Sequence, residues 1–260
     1  MVRIAHLSDI HFGDENRAAV AAAAARVVAE QPDLTIISGD LTRFGETAEF
    51  AAAAAWIQTL PGPKLITPGN HDAPYLAWVE RFFAPFARFE RAIGPAEAQG
   101  HVARGLAVRG VNTARGVQPR ANWSKGQISS RQVIETVAWL DAQAAAEALR
   151  IVVLHHPLTE MIGGPMTGRV WGGSAAARAF TEAHVDLVLS GHVHVPFAMP
   201  YPYADERTYA VGAGTLSVRE RGFPPGFNLI DAERAAIRIA ALAWTGSGYE
   251  PSRTWSLDRR

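Results

Sequence analysis

The sequence contains no cysteine in its 260 residues. This absence excludes disulfide bonds and thiolate ligands, so a metal site in this chain would have to be built from histidine nitrogens and from carboxylate or amide oxygens. A protein without disulfides is compatible with a reducing compartment. We therefore expect the protein to be cytoplasmic.

Long apolar runs are also missing. No stretch reaches the roughly 20 apolar residues that a membrane-spanning helix needs, because charged and amide residues interrupt the alanine-rich segments. The N-terminal sequence MVRIAHLSD lacks the long apolar core of a signal peptide. Together these absences predict a chain without a membrane span.

The chain has no excess charge of either sign, because 25 Lys and Arg residues balance 25 Asp and Glu residues. A protein-wide electrostatic attraction to nucleic acid or to an anionic membrane is therefore not indicated. No internal repeat, charge run or linker divides the sequence. We expect residues 1–260 to form a single domain, in which the tail at about 246–260 has no clear pattern, and a homodimer is compatible with this composition.

What is present is an alternation of strand-like and helix-like segments. In the N-terminal part the order is strand, helix, strand, helix, strand, over residues 2–8, 16–31, 34–38, 46–60 and 64–67. This order is typical of a parallel sheet that is covered by helices. In such sheets ligands bind beyond the carboxyl ends of the strands.

The rest of the chain predicts a further series of elements. They are a hairpin over 101–112 that turns near Gly105, a helix from Ser129 or Ser130 to about Arg150, a strand over 151–154, a helix over 174–183 and a strand over 186–190. Three later strand-like runs, 209–213, 227–230 and 235–243, predict a second, mostly antiparallel sheet.

Five polar clusters end or follow the strand-like runs. They are Asp9-Ile10-His11, Gly39-Asp40, Gly69-Asn70-His71-Asp72, His155-His156-Pro157 and Gly191-His192-Val193-His194. Because the strand ends are expected to share one edge of a sheet, the Asp, Asn and His side chains of these clusters should lie together. The sequence therefore predicts a polar site at this edge.

These side chains suit a site for two metal ions. Asp9 and His11 are two residues apart, so in an extended segment both point the same way, and the two oxygens of Asp40 can bridge two ions. Mixed nitrogen and oxygen ligands favour Mn, Fe, Zn or Co over Mg or Ca. The predicted metal ligands are Asp9, His11, Asp40, Asn70, His155, His192 and His194.

Such a pair of ions predicts hydrolysis of a phosphate ester. Two ions about 3.5–4 Å apart bind the ester and lower the pKa of a bound water to near 7, so that a metal-bound hydroxide attacks phosphorus. We predict that His71, next to Asn70, is the general acid or the electrostatic stabiliser for the leaving oxygen. Asp72 is predicted to orient the His71 imidazole, which makes His71 and Asp72 the catalytic candidates.

The five clusters, in this order, resemble the motifs Asp-x-His, Gly-Asp, Gly-Asn-His-Asp, His-x-Pro and Gly-His-x-His of the calcineurin-like metallophosphoesterase superfamily. The resemblance covers about residues 1–215. It implies an α/β fold, a four-layer α/β/β/α sandwich with two mixed β-sheets and a dinuclear metal site at the strand ends. It also implies two ligand sets that share Asp40 as the bridge: Asp9, His11, Asp40 and His194 for one ion, and Asp40, Asn70, His155 and His192 for the other.

The particular sequences of the motifs indicate which branch of the superfamily the chain resembles. The second cluster, Gly39–Gly45, lacks the Asp-Arg pair of the protein phosphatases in this superfamily. The opening His6–Gly13 and the Gly69–Asp72 cluster are similar to the bacterial branch that includes class III cyclic nucleotide phosphodiesterases and glycerophosphodiesterases. The resemblance thus implies a hydrolase for a small phosphodiester. A phosphomonoesterase, a nuclease, a lipid-head-group pyrophosphatase and a metal-binding regulator without turnover stay open as alternatives.

Several further residues have two interpretations. The His-x-Pro spacing selects His155 as the ligand, and His156 then either lines the pocket or fills space. His6 is interpreted as a core histidine or a neighbour of the site. Arg43 either reaches a substrate phosphate or is a solvated loop residue. Residues 159–173, rich in Gly and Met, are predicted to form a loop near the site.

Overall fold

The structure is a computed structural model of the chain, and the residues that it describes are 1–103, 105–120, 122–145, 147–160 and 170–260. The strands are β1 (Val2–Leu7), β2 (Leu34–Ser38), β3 (Lys64–Thr67), β4 (Gly100–Ala103), β5 (Leu106–Gly110), β6 (Leu149–Val153), β7 (Leu187–Ser190), β8 (Phe197–Pro200), β9 (Tyr209–Gly212), β10 (Gly226–Ala232), β11 (Ala236–Trp244) and β12 (Tyr249–Asp258). The helices are α1 (Arg17–Glu30), α2 (Thr47–Gln58), α3 (Trp78–Phe83), α4 (Ala87–Ala92), α5 (Ser130–Gln143) and α6 (Gly173–Glu182).

The strands form two six-stranded sheets, in the orders β12-β11-β10-β1-β2-β3 and β4-β5-β6-β7-β9-β8. In the first sheet β1, β2 and β3 are parallel, whereas β10, β11 and β12 add antiparallel pairs beyond β1. In the second sheet β5, β6, β7 and β9 are parallel and the two outer strands pair antiparallel. Both sheets are therefore mixed, as expected, and the predicted hairpin at 101–112 is confirmed as β4 and β5.

The two sheets pack face to face through alternate residues of their strands. Ile4 and Ile36 from the first sheet and Ile151 and Val153 from the second belong to one fully buried cluster. Because alternate side chains of a strand point to opposite faces, only every second residue of each strand can enter this layer. Burial of each such side chain contributes about 1.5–3 kcal/mol.

The intervening strand residues pack against helices on the two outer faces. Leu7 and Ile37 of the first sheet lie in a second buried cluster with Phe50 of α2. Val152 of the second sheet lies in a third cluster with Phe180 of α6. The order of layers is therefore helix, sheet, sheet, helix, which confirms the expected four-layer sandwich.

The C-terminal strands differ from the prediction of a second, mostly antiparallel sheet over residues 209–213, 227–230 and 235–243. β9 joins the second sheet, parallel to β7, whereas β10 and β11 complete the first sheet beside β1. The C-terminal tail, whose sequence showed no clear pattern, forms β12 on the outer edge of that sheet. Most β12 side chains are exposed, so this strand lacks the apolar alternation that would have revealed it.

Helix α5 also ends earlier than the predicted boundary near Arg150. Ser129 caps its N-terminus, as expected, by accepting a hydrogen bond from the Gln132 amide, and the helix ends at Gln143. The chain from Leu149 onward pairs with β5, starting opposite Leu106. Sheet pairing from Leu149 onward thus prevents the helix from reaching the predicted boundary near Arg150.

None of the helices in the described part of the chain combines the length and the hydropathy that crossing a membrane would require. The longest of them, α1 and α5, have 14 residues each, and a membrane span needs about 20.

His6 of β1 lies at a polar link between the two sheets. Its Nε2 donates to the Ser38 hydroxyl at 2.9 Å, and its Nδ1 accepts from the Asn228 amide at 3.4 Å. Asn228 also donates to the carbonyl of Gly212 in the second sheet at 2.9 Å. Burial lowers the pKa of His6 from 6.5 to about 3, so the folded protein holds it as a neutral imidazole. This places His6 in the core, which was one of its two interpretations.

Replacing His6 with Gln should change how stability depends on pH. Unfolded His6 takes up a proton below pH 6.5, whereas folded His6 stays neutral down to about pH 3, so its contribution is complete above pH 6.5 and is lost as the pH falls. The free energy of unfolding of His6→Gln should therefore decline less steeply below pH 6.5, by up to about 1.4 kcal/mol per pH unit. Denaturant unfolding at several pH values gives both slopes, and equal slopes would contradict a buried neutral His6.

Candidate metal centre

The carboxyl ends of the parallel strands in both sheets meet at one edge of the sandwich. Asp9 follows β1, and its backbone amide donates to the Gly39 carbonyl at 3.0 Å. His155 follows β6, and its Nδ1 donates to the Ser38 carbonyl at 2.7 Å. The backbone amide of His192 donates to the Asp9 carboxylate at 2.9 Å. These bonds join the strand ends of the two sheets around one small volume.

The backbone of these strand ends is held in an uncommon conformation. Left-handed φ angles occur at Asp9 (54°), His11 (51°), Asp40 (52°), His192 (69°) and His194 (60°). Non-glycine residues rarely adopt such angles, and each costs of order 1–3 kcal/mol. Five of the seven predicted ligands therefore occupy strained positions that turn their side chains inward.

Two glycines make room for the carboxylates. A Cβ atom at Gly69 would collide with the Asp40 carboxylate, and one at Gly191 would collide with Ser8 and with the Asp9 carboxylate. The glycine in each of these motifs is thus required by the close approach of a carboxylate to the backbone.

The predicted ligands fall into two overlapping groups around Asp9 and Asp40. In the first, Asp9 Oδ1 lies 3.1 Å from His194 Nε2, and His194 Nε2 lies 3.3 Å from His11 Nε2. In the second, Asp40 Oδ2 lies 3.2 Å from His155 Nε2. Ligand atoms of Asp9, His11 and His194, and likewise those of Asp9, Asp40 and His155, lie within 4.8 Å of one another.

The other two predicted ligands complete the same site. Asn70 and His192 line one cavity together with Asp40 and His194. The His192 and His155 rings are 5.2 Å apart at an interplanar angle of 77°. The structure thus brings all seven predicted ligands to one edge of the sandwich.

Three buried ligand atoms lack a hydrogen-bond partner among the described residues. They are Asp9 Oδ1, Asn70 Oδ1 and His155 Nε2. An unsatisfied buried polar atom costs about 1–3 kcal/mol, and more when it is charged. A cation at this position would satisfy all three, so the side chains fit a metal centre.

The orientation of three imidazoles supports the same conclusion. The Nδ1 atoms of His11, His155 and His194 donate to the carbonyls of Thr42, Ser38 and Arg219, respectively. A backbone acceptor at Nδ1 fixes the Nδ1–H tautomer of the neutral imidazole, so that Nε2 is the ring atom offered to a metal.

The charge states of the ligands are also suitable. Burial lowers the pKa of His11 and of His192 to about 3, so both are neutral at pH 7. Burial raises the pKa of the Asp40 carboxyl, but the charge of His155 outweighs that effect and holds the pKa well below its usual range. Burial likewise lowers the pKa of His155, and Asp40 reverses this and raises it to about 9. In the metal-free protein His155 and Asp40 thus form an ion pair whose proton a metal would replace.

The predicted contact between Asp72 and the His71 imidazole is wrong. The buried Asp72 carboxylate accepts hydrogen bonds from the backbone amides of Leu41, Thr42 and Gly69 at 3.2, 3.0 and 2.8 Å. These three amides lie beyond the ends of β2 and β3 without a strand partner, and the Asp72 carboxylate satisfies all of them. Burial and then the charge of Asp40 raise the pKa of Asp72 to about 7.

His71 is oriented by backbone and by an arginine instead. Its Nδ1 donates to the Arg43 carbonyl at 2.7 Å, and its Nε2 accepts from Arg219 Nη1 at 3.1 Å. The His71 amide donates to Asp40 Oδ1 at 2.8 Å, which couples its position to the metal centre.

The residues with two interpretations are now placed. His156 is buried, accepts from the Thr113 hydroxyl and donates to the Ser124 carbonyl, each at 2.9 Å, so both ring nitrogens are used within the protein. Arg43 pairs with Asp14 at 3.0 Å and is 40% exposed. The predicted loop at 159–173 lies largely outside the described residues, which exclude 161–169.

A cavity of about 460 Å³ opens over the metal centre. Three cations line it, Lys125, Arg219 and Arg221, which sequence reasoning did not select. The two arginines lie in the connection from β9 to β10, and the His194 bond to the Arg219 carbonyl fixes their approach to the site. Their only sequence signal is the Arg-Glu-Arg spacing before Gly222, which is too common in surface loops to indicate a site.

The sandwich and its His, Asp and Asn cluster define a metal-dependent phosphoesterase. Residues 2–196 match the family model described as calcineurin-like phosphoesterase. The chain belongs to this family, whose members use two metal ions, and it is a metallophosphoesterase.

Two relatives of known name are similar to this chain. It is 26% identical over 75% of its length to a protein of Synechococcus sp. named probable cyclic nucleotide phosphodiesterase, of which it covers 74%. It is 30% identical over 74% of its length to the glycerophosphodiester phosphodiesterase GpdQ of Enterobacter lignolyticus, of which it covers 70%.

The structural neighbours share the fold at low identity. A dimetal phosphatase from Danio rerio superposes with a TM-score of 0.72 at 10% identity, over 100% of this chain and 99% of that one. A purple acid phosphatase from yellow lupin (Lupinus luteus) seeds superposes with a TM-score of 0.74 at 12% identity, over 99% of this chain and 54% of that one.

Metal content should follow the two predicted ligand sets. After loading with Mn²⁺ and desalting, the wild-type protein should hold about two ions per chain. Asp40→Ala should lose most of both ions because Asp40 contacts both groups, whereas Asn70→Ala should lose about one. Elemental analysis gives the stoichiometry, and Gln31→Ala, at the end of α1, serves as a control. An Asp40→Ala protein that keeps both ions would contradict the bridging position.

Proposed function

We propose that the protein hydrolyses a small phosphodiester of the cyclic nucleotide or glycerophosphodiester type. The observation that carries the proposal is a cavity in which predicted metal ligands and three cations face one another. An anionic phosphate ester is complementary to such a cavity. The names of both relatives, a probable cyclic nucleotide phosphodiesterase and a glycerophosphodiester phosphodiesterase, support a diester over a monoester.

In this proposal Asp9, His11, Asp40 and His194 hold one ion, and Asp40, Asn70, His155 and His192 hold the other. When bound, the two ions supply the activated water and neutralise charge on the phosphate. The short distances around Asp9 and Asp40 and the Nε2 atoms that meet there support this division. The donor set is compatible with Mn, Fe, Zn or Co.

The protein groups around the cavity position the phosphate. Arg219 and Arg221 approach from the β9–β10 connection, and Lys125 lines the same cavity. Hydrogen bonds to a charged group are worth about 1.5–3 kcal/mol each. A diester carries one negative charge, which these cations and the ions can hold while its two ester oxygens stay accessible.

His71 is placed to act on the leaving oxygen. Its imidazole lines the cavity beside Asn70, and the Arg43 carbonyl fixes its ring. With Nδ1 donating to that carbonyl, Nε2 is the atom that faces substrate and Arg219. Arg219 donates to Nε2, so Nε2 can carry a proton only if Arg219 moves away, for example toward a bound phosphate. Substrate binding would therefore favour the protonated, acidic form of His71. Asp72 acts indirectly, because it holds the loops that carry Asp40 and His71.

We further infer that residues 1–260 form one catalytic domain in the cytoplasm. Pairing of β1 with β10 joins the two ends of the chain in one sheet, which supports a single unit. The absence of cysteine supports a reducing compartment.

The proposal is tested with metal-stripped protein, bis-p-nitrophenyl phosphate and p-nitrophenyl phosphate, before and after addition of Mn²⁺. Cleavage should depend on Mn²⁺ and favour the diester. Preference for the monoester would contradict the diester assignment. A protein that holds two ions but cleaves neither ester, nor glycerophosphocholine or cyclic AMP, would contradict an enzymatic role for this centre.

His71→Ala should keep its metal and lose turnover. General acid catalysis is worth about 10²–10⁴-fold in rate, and the loss should be largest for a poor leaving group such as glycerol. The loss should be small for p-nitrophenolate, which leaves without a proton. Full activity of His71→Ala on glycerophosphocholine would exclude His71 as the acid.

Arg219→Ala should lower kcat/KM by about 10–100-fold, because it removes a charged hydrogen bond to the phosphate and to His71. Arg219→Lys should recover part of this loss, since it restores the charge without the guanidinium geometry. Arg17→Ala, an exposed arginine at the start of α1, is the matched control. Unchanged kinetics of Arg219→Ala would show that Arg219 does not contact the substrate.

A further inference from the structure

A second cavity, of about 530 Å³, lies beside the cavity over the metal centre. The two cavities share five lining residues: Asn70, His71, Asn122, Ser124 and Arg219. A molecule whose phosphate lies at the metal centre can therefore extend directly into the second cavity.

The walls that belong to the second cavity alone are aromatic. Tyr75, Trp78 and Trp123, together with Arg81, form what we name the aromatic subsite. The Trp78 and Trp123 rings meet edge to face, with centroids 5.7 Å apart and planes at 73°. The Arg81 guanidinium lies 5.8 Å from the Tyr75 ring centroid and 5.7 Å from that of Trp123. This arrangement makes a corner of ring surfaces with a delocalised cation at its base.

Two of these aromatic side chains are left in water by the fold. Tyr75 is 53% exposed and Trp78 is 62% exposed. Large exposed aromatic groups grouped beside a polar cavity are typical of a binding surface, because covering them recovers hydrophobic free energy that folding has not used.

The subsite is held in place before any ligand enters. Arg81 is buried, and its side chain donates to the carbonyls of Gly116, Ala73 and Pro74 at 2.7, 3.2 and 3.1 Å. A Cβ atom at Gly116 would collide with the Arg81 carbonyl, so this loop packs directly on α3. Arg81 thus fixes α3, which carries Trp78. A preformed surface loses little side-chain entropy on binding.

We infer that the aromatic subsite takes a flat aromatic or heteroaromatic group, such as a nucleobase, that belongs to the phosphodiester substrate. This inference rests on the proposed function and narrows it to nucleotide-type diesters. Ring faces and a guanidinium bind π systems by stacking and by cation–π attraction. A glycerol or choline-sized group has no ring to stack, and it would leave Trp78 and Trp123 partly in water.

The test compares two ligands that differ only in the base, adenosine 5′-monophosphate and ribose 5-phosphate, by calorimetric titration of the Mn²⁺-loaded protein. The nucleotide should bind about 5- to 150-fold more tightly, as expected for one stacked base. Trp78→Ala and Trp123→Ala should remove most of this difference and leave the affinity for ribose 5-phosphate within about twofold. Trp123→Phe should restore part of it, which separates lost stacking from a collapsed loop.

Phe83→Ala is the matched control, since Phe83 is an exposed aromatic residue of α3 that lies outside the lining of the aromatic subsite. It should keep the preference for the nucleotide. Equal affinities of the wild-type protein for both ligands, or no binding of either, would overturn the inference. Cleavage of bis-p-nitrophenyl phosphate by the same preparation tests the proposed function separately. Diester cleavage without a preference for the nucleotide would contradict only the role of the aromatic subsite. A preference for the nucleotide without diester cleavage would contradict only the proposed phosphodiesterase activity.

Discussion

Two buried carboxylates, those of Asp9 and Asp40, are the constraint on which the rest of this molecule depends. Removing an ionised carboxylate from water costs several kcal/mol unless opposite charges and hydrogen-bond donors surround it. The two carboxylates follow strands of the first sheet, and the second sheet supplies partners for them, through imidazoles after β6 and β7 and through the backbone amide of His192. Because these partners come from segments far apart in the chain, the site cannot form before both sheets have packed together.

The same burial explains the support that surrounds the ligands. Left-handed backbone at Asp9, His11 and Asp40 is held against its strain by hydrogen bonds between the loops, such as the His11 amide to the Asp40 carbonyl. Asp72 ties the loop after β2 to the loop after β3 through backbone amides. The strained backbone thus lowers the stability of the fold but keeps the ligands in a rigid arrangement, as is expected at a functional site.

The sequence identified the ligands because each follows a buried strand. The α/β order of the N-terminal half was readable for the same reason. The extended alternation expected at Asp9 and His11 is not what aligns them, since both residues have left-handed φ angles. Arg219 and Arg221 could not be predicted, because a connection between β9 and β10 brings them to the site only after these strands join different sheets. The membership of β10 in the first sheet was equally hidden, since its pairing with β1 joins residues more than 200 positions apart and leaves no local pattern. The role of Asp72 was misjudged because the need of backbone amides for an acceptor is not visible in the sequence.

The pairing of β1 with β10 shows that the first sheet extends beyond the residues that match the family model. Five consecutive residues of β1, Val2 to His6, hydrogen-bond or pair with Asn228 to Ala232, yet the similarity to the family model ends at residue 196. A chain that stopped there would leave β1 as an open sheet edge directly before Asp9 and His11, and such edges recruit other chains. The part of the chain that matches the family model is therefore shorter than the part that the fold needs. The metal ligands at the end of β1 depend on β10, which lies beyond the matched residues.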